Sequence, residues 1–292
     1  MFDTVIAGGR VIDPLNGIDA VTDIAISGGK ICQIGLNLSE WARNVVNAKG
    51  KLVVPGLVDI HCHVFGPGDL LAVDPLCGVG AGVTTVVDAG SSVPEDIAYL
   101  NETVVKTTES SIYALLTNHE WPDGYKQISS TGVIYDKEFV DALNEFPGLI
   151  RGVKVALTPS IFEMYGLGAL KSARTLCDEF GLRVMLHIGD IGNPSIAPTT
   201  VSVTSDAIDL LAPGDVITHL YTPLLGGPLD ANGVLLPAIK RARDRGVVMD
   251  GAKGDYGFSW AVARKLEGKG ISVDTVSSDL ELYSLGGTAG GV

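Results

Sequence analysis

Short apolar runs recur along the chain from residue 52 onward, and each is separated from the next by a stretch long enough for a helix. Eight such runs occur, at residues 52–63, 84–90, 111–120, 150–159, 183–190, 215–221, 246–252 and 274–281. Two intervening stretches, 167–181 and 235–246, have a helical pattern and end at a glycine that suits a helix C-terminus. Strands that alternate with helices predict a parallel sheet. Eight strands close into a (β/α)8 barrel, and we therefore predict this fold.

The alternative to a barrel is an open, doubly wound parallel sheet, which also alternates strands with helices. Sheets of that kind that bind dinucleotides carry a glycine-rich fingerprint directly after a strand. None of the eight apolar runs is followed by that fingerprint. The pattern therefore favours the barrel over the open sheet.

The N-terminal part has a different pattern, which is typical of short alternating β-strands. Residues 22–35 contain two such runs around Gly28–Gly29, a strong signal for a hairpin. Residues 3–14 indicate another hairpin. We predict a partial β-sandwich domain over residues 1–53, followed by the barrel over residues 54–292.

The composition indicates a folded, soluble chain and excludes some classes of partner. Hydrophobic residues make up 46% of the chain, and 34 acidic against 21 basic residues give a net charge of −13. Nucleic acids and anionic membranes require basic surfaces, so neither is expected as a partner. The four cysteines form no CxxC pair, and the chain has no signal-peptide pattern or membrane-spanning apolar run. We expect a cytoplasmic protein that binds a small molecule, as a monomer or a homo-oligomer.

Histidine, lysine and aspartate side chains lie within or at the ends of the predicted barrel strands. They are His61 and His63 in the first run, Lys154 in the fourth, His187 in the fifth, His219 in the sixth and Asp279 in the eighth. Because side chains alternate along a strand, the first two histidines point to the same face. The intervals between the strands that carry these residues follow multiples of roughly 30 positions, the length of one barrel unit. We therefore expect the six residues to meet at the C-terminal mouth of the barrel, where active sites of this fold lie.

Neutral imidazoles and a carboxylate in one cavity form a ligand set for a divalent metal, zinc first. Each histidine taken alone is more often a core or loop residue. Four of the five histidines of the chain, in register near strand ends, are not explained in that way and predict a metal site. Lys154 is the unusual member, because its amine either reaches solvent from the strand end or is buried with a lowered pKa.

Five motifs together resemble the amidohydrolase superfamily, and most closely its dihydroorotase-like amidohydrolase/deacetylase family of metallohydrolases. The motifs are PGLVDIHCH (55–63), GVKV (152–155), LHIGD (186–190), ITHLY (217–221) and SSDLE (277–281). The resemblance extends over nearly the whole chain and implies a centre of two divalent metal ions. The implied ligands are His61, His63 and Asp279 for one ion, His187 and His219 for the other, and Lys154, carbamylated by carbon dioxide, as the bridge between them.

The resemblance also implies a reaction, the hydrolysis of an amide, cyclic amide or acyl ester bond in a small molecule. The metal ions polarise the scissile carbonyl and acidify water, and Asp279 takes and returns the proton. Dihydroorotases usually carry an arginine at the position where this chain has Phe65, so a different substrate is expected. His119, Lys253 and Tyr256 are predicted as substrate contacts.

Two other functions remain as alternatives within the same superfamily. A non-catalytic relative that serves as an assembly scaffold typically lacks metal ligands, whereas this chain has the full set. A deaminase with a single metal ion lacks the lysine of the fourth strand, so Lys154 distinguishes the two kinds of enzyme.

The C-terminal end departs from the pattern of the family. Relatives continue well beyond the last aspartate, with a final barrel helix and with strands that complete the β-sandwich. This chain ends thirteen residues after Asp279. We therefore expect a barrel that is truncated at its C-terminal end and a sandwich that lacks its complement.

Overall fold

A computed structural model of the chain forms two compact units, Met1–Leu57 and Val58–Val292. The structure describes residues 1–65, 72–119, 136–189, 197–254 and 257–282. The predicted substrate contact Tyr256 lies outside these ranges. No helix within them is both long enough and apolar enough to cross a membrane.

The first unit is built on one five-stranded sheet. Its strands are β1 (Phe2–Asp13), β2 (Ile18–Ser27), β3 (Lys30–Gly35), β4 (Ala42–Asn47) and β5 (Leu52–Val53). The strand order is β3-β2-β1-β4, and β5 pairs with the later part of β1. All residues of this unit are described, and they do not form the second sheet that a sandwich requires. A small core of Val5, Ala25 and Leu38 lies against this sheet.

Glycines shape the first sheet in two different ways. Gly28 and Gly29, with φ of 58° and 73°, join β2 to β3, so the predicted hairpin is confirmed. The hairpin predicted within residues 3–14 is wrong, because β1 is one continuous strand there. Its Gly8, with φ of 72°, lies at a bulge where the pairing register with β2 shifts. A glycine pair permits either a turn or a bulge, and the local sequence does not distinguish them.

The second unit contains a curled parallel sheet of seven strands, and helices connect successive strands. The strands are β6 (Leu57–Cys62), β7 (Val83–Ala89), β8 (Ser111–Thr117), β9 (Ile150–Ala156), β10 (Arg183–His187), β11 (Val216–Thr218) and β12 (Val248–Met249). The helices are α1 (Leu76–Gly80), α2 (Ile97–Leu100), α3 (Asp136–Glu145), α4 (Pro159–Tyr165), α5 (Gly168–Phe180), α6 (Ala197–Asp209), α7 (Pro237–Arg245) and α8 (Trp260–Glu267). The strands are arranged in the order β12-β11-β10-β9-β8-β7-β6. The predicted alternation of strands and helices is confirmed.

The first predicted run, residues 52–63, is divided between the two sheets. Leu52–Val53 forms β5 of the first sheet, and β6 begins only at Leu57. Pro55 lies between them, and proline cannot donate a hydrogen bond to a strand ladder because it has no backbone N–H. The prediction of one uninterrupted strand is therefore wrong.

The eighth predicted strand, residues 274–281, is not a regular strand. It makes two isolated parallel bridges instead, one from Thr275 to the residue that follows β12 and one from Leu280 to the last residue of β6. Between the bridges, Asp279 has a φ of 50°, which is not an extended conformation. The segment therefore contacts both edges of the seven-stranded sheet without continuous pairing.

Helices α5 and α7 each bury one apolar face in the main core of the unit. In α5 this face includes Leu170, Ala173 and Leu176, which recur at the spacing of helical turns. Both helices end at the predicted glycines, Gly181 with φ of 68° and Gly246 with φ of 90°. Glycine adopts this left-handed conformation without a Cβ penalty, which explains why the helices end there.

The carboxylate of Asp215 joins β10, β11 and α5, and its removal is expected to destabilise the fold strongly. It is fully buried, lies 2.6 Å from the guanidinium of Arg174 and accepts hydrogen bonds from the backbone amides of Val184 and Ala212. Asp215→Ala should lower the free energy of unfolding by about 3 kcal/mol, because it leaves two backbone amides without their acceptor and removes the buried partner of Arg174, which keeps only the exposed Asp178. Urea unfolding measures this loss. The control, Asp244→Ala in an exposed ion pair, should change stability by less than about 0.5 kcal/mol.

Candidate metal centre

The six residues predicted to bind metal come together at the carboxyl ends of the strands. Lys154 Nζ in β9 lies 2.8 Å from Nε2 of His61 in β6. The ring of His219, which follows β11, lies 4.2 Å from the ring of His187 at the end of β10 and 5.0 Å from that of His61. These residues are far apart in the sequence, but each lies in or directly after a strand of the same parallel sheet. The sheet therefore brings their side chains together, as the strand-end spacing predicts.

His61, His63 and Asp279 form a close group within the set. Oδ1 of Asp279 lies 3.1 Å from Nε2 of His61 and 3.2 Å from Nε2 of His63. One donor atom from each of the three residues lies within 4.8 Å of the others. Neighbouring ligands of a tetrahedral zinc ion lie about 3.3 Å apart, since each is about 2.0 Å from the metal. The spacing of these atoms therefore suits a common metal ion.

Three imidazoles direct Nε2 towards the centre while Nδ1 makes another contact. Nδ1 of His61 lies 2.7 Å from the hydroxyl of Thr218, and Nδ1 of His63 lies 2.8 Å from that of Ser91. Nδ1 of His219 lies 3.3 Å from a backbone carbonyl. Its Nε2 is buried, makes no hydrogen bond within the described part of the chain, and lies 3.7 Å from Oδ2 of Asp279. The Nε2 atoms are thus oriented as ligand atoms.

Burial keeps most of these histidines neutral. Desolvation, followed by the charge of Lys154, holds the pKa of His61 well below its usual value. Desolvation and the neighbouring His219 do the same to the pKa of His187. Burial lowers the pKa of His219 to about 4. Neutral imidazole is the form that binds a metal, so these residues need not lose a proton to do so.

Asp279 is ionised and Lys154 has an unusually acidic ammonium. Burial raises the pKa of Asp279, but the adjacent imidazoles of His61 and His63 outweigh it and hold that pKa well below its usual value. Burial lowers the pKa of His63, yet its close contact with Asp279 and the surrounding carboxylates raise it overall. Burial lowers the pKa of Lys154 to about 8.

Two of the six residues have a strained backbone. Among the described residues of the second unit, His219 with φ of 63° and Asp279 with φ of 50° are the non-glycine residues in the left-handed region. That conformation costs a residue with a Cβ roughly 1–2 kcal/mol. Such strain persists where the surrounding structure holds it in place, and it is concentrated at functional sites. The sequence contains no signal for it.

Glycines give the site residues their space, and sequence analysis missed this role. A Cβ on Gly90 would lie 2.6 Å from Cγ of Lys154, and one on Gly254 would lie 2.3 Å from Oδ2 of Asp279. A Cβ on Gly257 would lie 2.2 Å from Nδ1 of His219. Each distance is shorter than van der Waals contact allows, so these positions need glycine for the site to keep its arrangement.

Gly90→Ala is expected to lower the free energy of unfolding by about 2–5 kcal/mol. The alanine Cβ is unfavourable in the left-handed backbone conformation of this position, and it would also clash with the side chain of Lys154. Gly148→Ala is the matched control, because Gly148 has a similar φ of 85° but open space around its Cβ position. It should lose only the backbone part, about 1–2 kcal/mol. Chemical denaturation of both variants gives the difference. Equal losses would contradict the proposed clash with Lys154.

The carboxylate of Asp250, at the end of the seventh run, is a feature of the site that sequence analysis missed. It is fully buried and accepts hydrogen bonds from the hydroxyls of Thr218 at 2.8 Å, Thr275 at 2.8 Å and Ser277 at 2.7 Å. Its position at the end of a buried strand, like that of the histidines, was the available signal. Asp250 links β11 to the segment that bridges the sheet edges.

Of the three predicted substrate contacts, His119 and Lys253 lie among the described residues. His119 is buried after β8, with Nδ1 3.3 Å from Oδ1 of Asn118 and its ring 5.5 Å from that of Tyr165. Burial lowers the pKa of His119 to about 4. Lys253 is exposed, and Tyr256 lies outside the described residues. The substrate roles of these three residues stay predictions.

Comparison with known proteins finds similarity to deacetylases and dihydroorotases. The chain is 27% identical over 273 residues to a deacetylase of Agrobacterium fabrum, an alignment that covers 90% of this chain and 64% of that protein. It is 28% identical over 192 residues to a dihydroorotase of Streptococcus thermophilus, covering 64% of this chain and 42% of the relative. No family model matches the chain. The chain thus covers less than two thirds of the length of either relative.

Solved structures with similar folds include a dihydroorotase, with a TM-score of 0.78 at 22% identity, covering 97% of this chain and 73% of that one. An adenine deaminase has a TM-score of 0.79 at 23% identity, covering 96% and 73%. The predicted likeness to the amidohydrolase superfamily is confirmed. A more distant similarity is to an N-acyl-D-glutamate deacylase from Bordetella bronchiseptica, solved with zinc and a phosphonate inhibitor, with a TM-score of 0.53 at 19% identity, covering 85% and 58%. These amidohydrolase neighbours support a barrel-type fold for the second unit.

Proposed function

We propose that this protein is a metal-dependent hydrolase that cleaves an amide, cyclic amide or acyl ester bond in a small molecule. The observation that carries the proposal is the convergence of four histidines, a lysine and an aspartate at one end of the parallel sheet. Similarity to a deacetylase and to dihydroorotases supports cleavage of a carbon–nitrogen bond. In this proposal, residues 274–281 complete an eight-unit barrel around the site.

The residues present fit divalent metal ions, zinc first. Neutral imidazole nitrogens and a carboxylate are the donor set that zinc prefers. The buried Nε2 of His219, which makes no hydrogen bond to any described residue, is likewise suited to bind a metal ion. The proposed ligands are His61, His63 and Asp279 for one ion and His187 and His219 for a second. The structure solved with zinc among the similar folds is consistent with that metal.

Lys154 is proposed to bridge the two ions as a carbamate. Its amine is buried against His61, and a pKa of about 8 leaves roughly a tenth of it neutral at pH 7, against far less than a hundredth for an ordinary lysine. The neutral nitrogen adds to the carbon of carbon dioxide and loses a proton. The product would carry one negative charge and two oxygens, so Lys154 in this form could serve as a ligand to both ions.

Bound divalent ions supply Lewis acidity, which polarises the scissile carbonyl and makes water a better nucleophile. Asp279 is ionised and its side chain is 13% exposed, so it can reach a water molecule that enters the site. It accepts a proton as the water oxygen bonds to the carbonyl carbon. It then donates that proton to the leaving nitrogen or oxygen as the scissile bond breaks. The neutral histidines hold the centre and do not compete for this proton.

The direct test is the metal content and the activity of the full chain. Protein purified with zinc and bicarbonate should hold close to two metal ions by elemental analysis. It should also hydrolyse at least one member of a panel of N-acetyl amino acids, hydantoins, dihydroorotate and acetyl esters. Well-folded protein that retains no divalent metal would contradict the proposal.

His187→Asn is expected to lose at least one of the two metal ions, because an amide is a far weaker zinc ligand than an imidazole. His119→Asn is the matched control, since His119 is also a buried histidine near a strand end but is not among the proposed ligands. Elemental analysis should find two ions in the control. An unchanged metal content in His187→Asn would remove His187 from the ligand set.

The structural similarity to an adenine deaminase supports a second candidate, a deaminase of the same superfamily with a single metal ion. In that case Lys154 needs no carbamate. The two candidates differ in metal content, which elemental analysis measures, and in the product, which is ammonia for a deaminase. The position of Lys154 against His61 favours the hydrolase with two ions.

A further inference from the structure

His61 and His63 make similar contacts through Nδ1, on the side of the ring away from the proposed metal ions. In each case a hydroxyl lies between the imidazole and a buried carboxylate. Nδ1 of His61 lies 2.7 Å from the hydroxyl of Thr218, which lies 2.8 Å from Oδ2 of Asp250. Nδ1 of His63 lies 2.8 Å from the hydroxyl of Ser91. That serine contacts the fully buried Asp88 through its backbone amide, at 3.0 Å, and through its side chain.

A count of protons fixes the direction of the hydrogen bonds behind His61. A carboxylate only accepts, so the single proton of the Thr218 hydroxyl must point to Asp250. The short contact between Thr218 and Nδ1 then needs a proton from the imidazole. His61 therefore carries its proton on Nδ1. Its Nε2 presents a lone pair, which lies 2.8 Å from Nζ of Lys154, a donor.

The same count applies to His63. The proton of the Ser91 hydroxyl points to the carboxylate of Asp88, so Nδ1 of His63 donates to the oxygen of Ser91. Asp88 also accepts the backbone amides of Val64 and Phe65, at 3.0 and 3.1 Å, which directly follow His63. Asp88 thus fixes the ring of His63 through Ser91 and fixes the backbone after His63 directly.

We propose that Thr218 and Ser91 are positioning residues that hold His61 and His63 in the Nδ1–H tautomer, with Asp250 and Asp88 as the fixed acceptors. The inference rests on the proposed function, because its consequence is that both Nε2 atoms are prepared to bind a metal ion. Groups behind a metal-binding histidine set its tautomer and orientation and strengthen it as a donor. The chain does this through neutral hydroxyls, so each carboxylate acts on its imidazole across a hydroxyl, and Oδ2 of Asp250 lies 4.0 Å from Nδ1 of His61.

Thr218 is the best position to test, because Asp250 also binds Thr275 and Ser277 and its loss would disturb the bridging segment. Thr218→Val keeps the shape of the side chain and removes the hydroxyl, whereas Thr218→Ser keeps the hydroxyl. Ser91→Ala and Ser91→Thr form a second pair of the same design. Competition between the full chain and a chromophoric chelator measures the affinity for zinc alone, and thermal unfolding of the metal-free variants checks that each one folds.

We expect Thr218→Val and Ser91→Ala to bind zinc about 10–100-fold more weakly than wild type. This is the usual loss of affinity when a metal-binding histidine loses its hydrogen-bond partner. Thr218→Ser and Ser91→Thr should bind within a few-fold of wild type. Variants without the hydroxyl that bind zinc as tightly as wild type would overturn the inference and leave the proposed function intact. Wild-type protein that binds no zinc would overturn the proposed function itself.

Nitrogen-15 NMR of the histidine rings gives a second measurement that needs no variant and no metal. The chain has five histidines, so the ring signals can be assigned by single substitutions. His61 and His63 should carry their protons on Nδ1 in the metal-free, full-length protein. Protons on Nε2 alone would overturn the inference, even if a valine or alanine variant failed to fold.

Discussion

Asp279→Asn is expected to lower kcat by about a hundredfold or more while the protein keeps most of its metal. Asparagine has the same shape and one oxygen that can bind a metal ion, but its amide cannot accept a proton. Asp279 is also the residue whose oxygens lie nearest to the Nε2 atoms of His61 and His63. Steady-state kinetics on the best substrate of the panel and elemental analysis of the same preparation measure the two quantities together.

The matched control is Glu281→Gln. Glu281 lies 3.7 Å from Nε2 of His63, so it places a second carboxylate beside the same histidine. Its neutral analogue should change kcat far less than Asp279→Asn does. If Asp279→Asn kept nearly all of its activity with its metal intact, Asp279 would not be the proton carrier, and His119 would be the next residue to test.

Lys154→Ala is expected to abolish measurable hydrolysis. Without the amine no carbamate forms, and the two proposed metal positions lose their shared ligand. Lys154 is also buried beside Gly90, so alanine leaves a cavity as well as removing the amine. Lys154→Met fills much of that volume without an amine, and it should be equally inactive but more stable in urea unfolding.

Short carboxylic acids provide a further check on the role of Lys154. Acetate or propionate carries the two oxygens of a carbamate and fits the space that alanine vacates, so it should restore part of the activity of Lys154→Ala. The larger methionine side chain should block that rescue. Wild-type activity in either variant without added acid would contradict a bridging role.

Much of the site could be predicted because its residues lie at corresponding points of a repeated unit. His61, Lys154, His187 and His219 each lie in or directly after a parallel strand, and parallel strands bring such positions to one edge. The strand-and-helix alternation that places them is readable from hydrophobic spacing alone. Their convergence therefore follows from the pattern, without knowledge of any individual contact.

The residues behind the histidines were not predictable in this way. Thr218 meets His61 across 157 positions, and the pairing depends on the side-chain conformation of both residues. A threonine in a strand is common for reasons of β-propensity, so its presence carries no signal. The conformations of His219 and Asp279, with positive φ, are uncommon even for histidine and aspartate, and the tertiary structure determines them.

The bridging segment has a consequence for how the molecule is assembled. The backbone amide of Ser278 donates to Oδ1 of Asp59, and the two residues are 219 positions apart. Contacts of such long range bear a large loop-closure entropy and tend to form late in folding. His61 and Asp279 meet at this same junction, through a 2.7 Å backbone hydrogen bond as well as their side chains. Zinc uptake during refolding should therefore coincide with the slowest phase. The ion would bind and stabilise only chains in which the segments of His61 and Asp279 are already in contact.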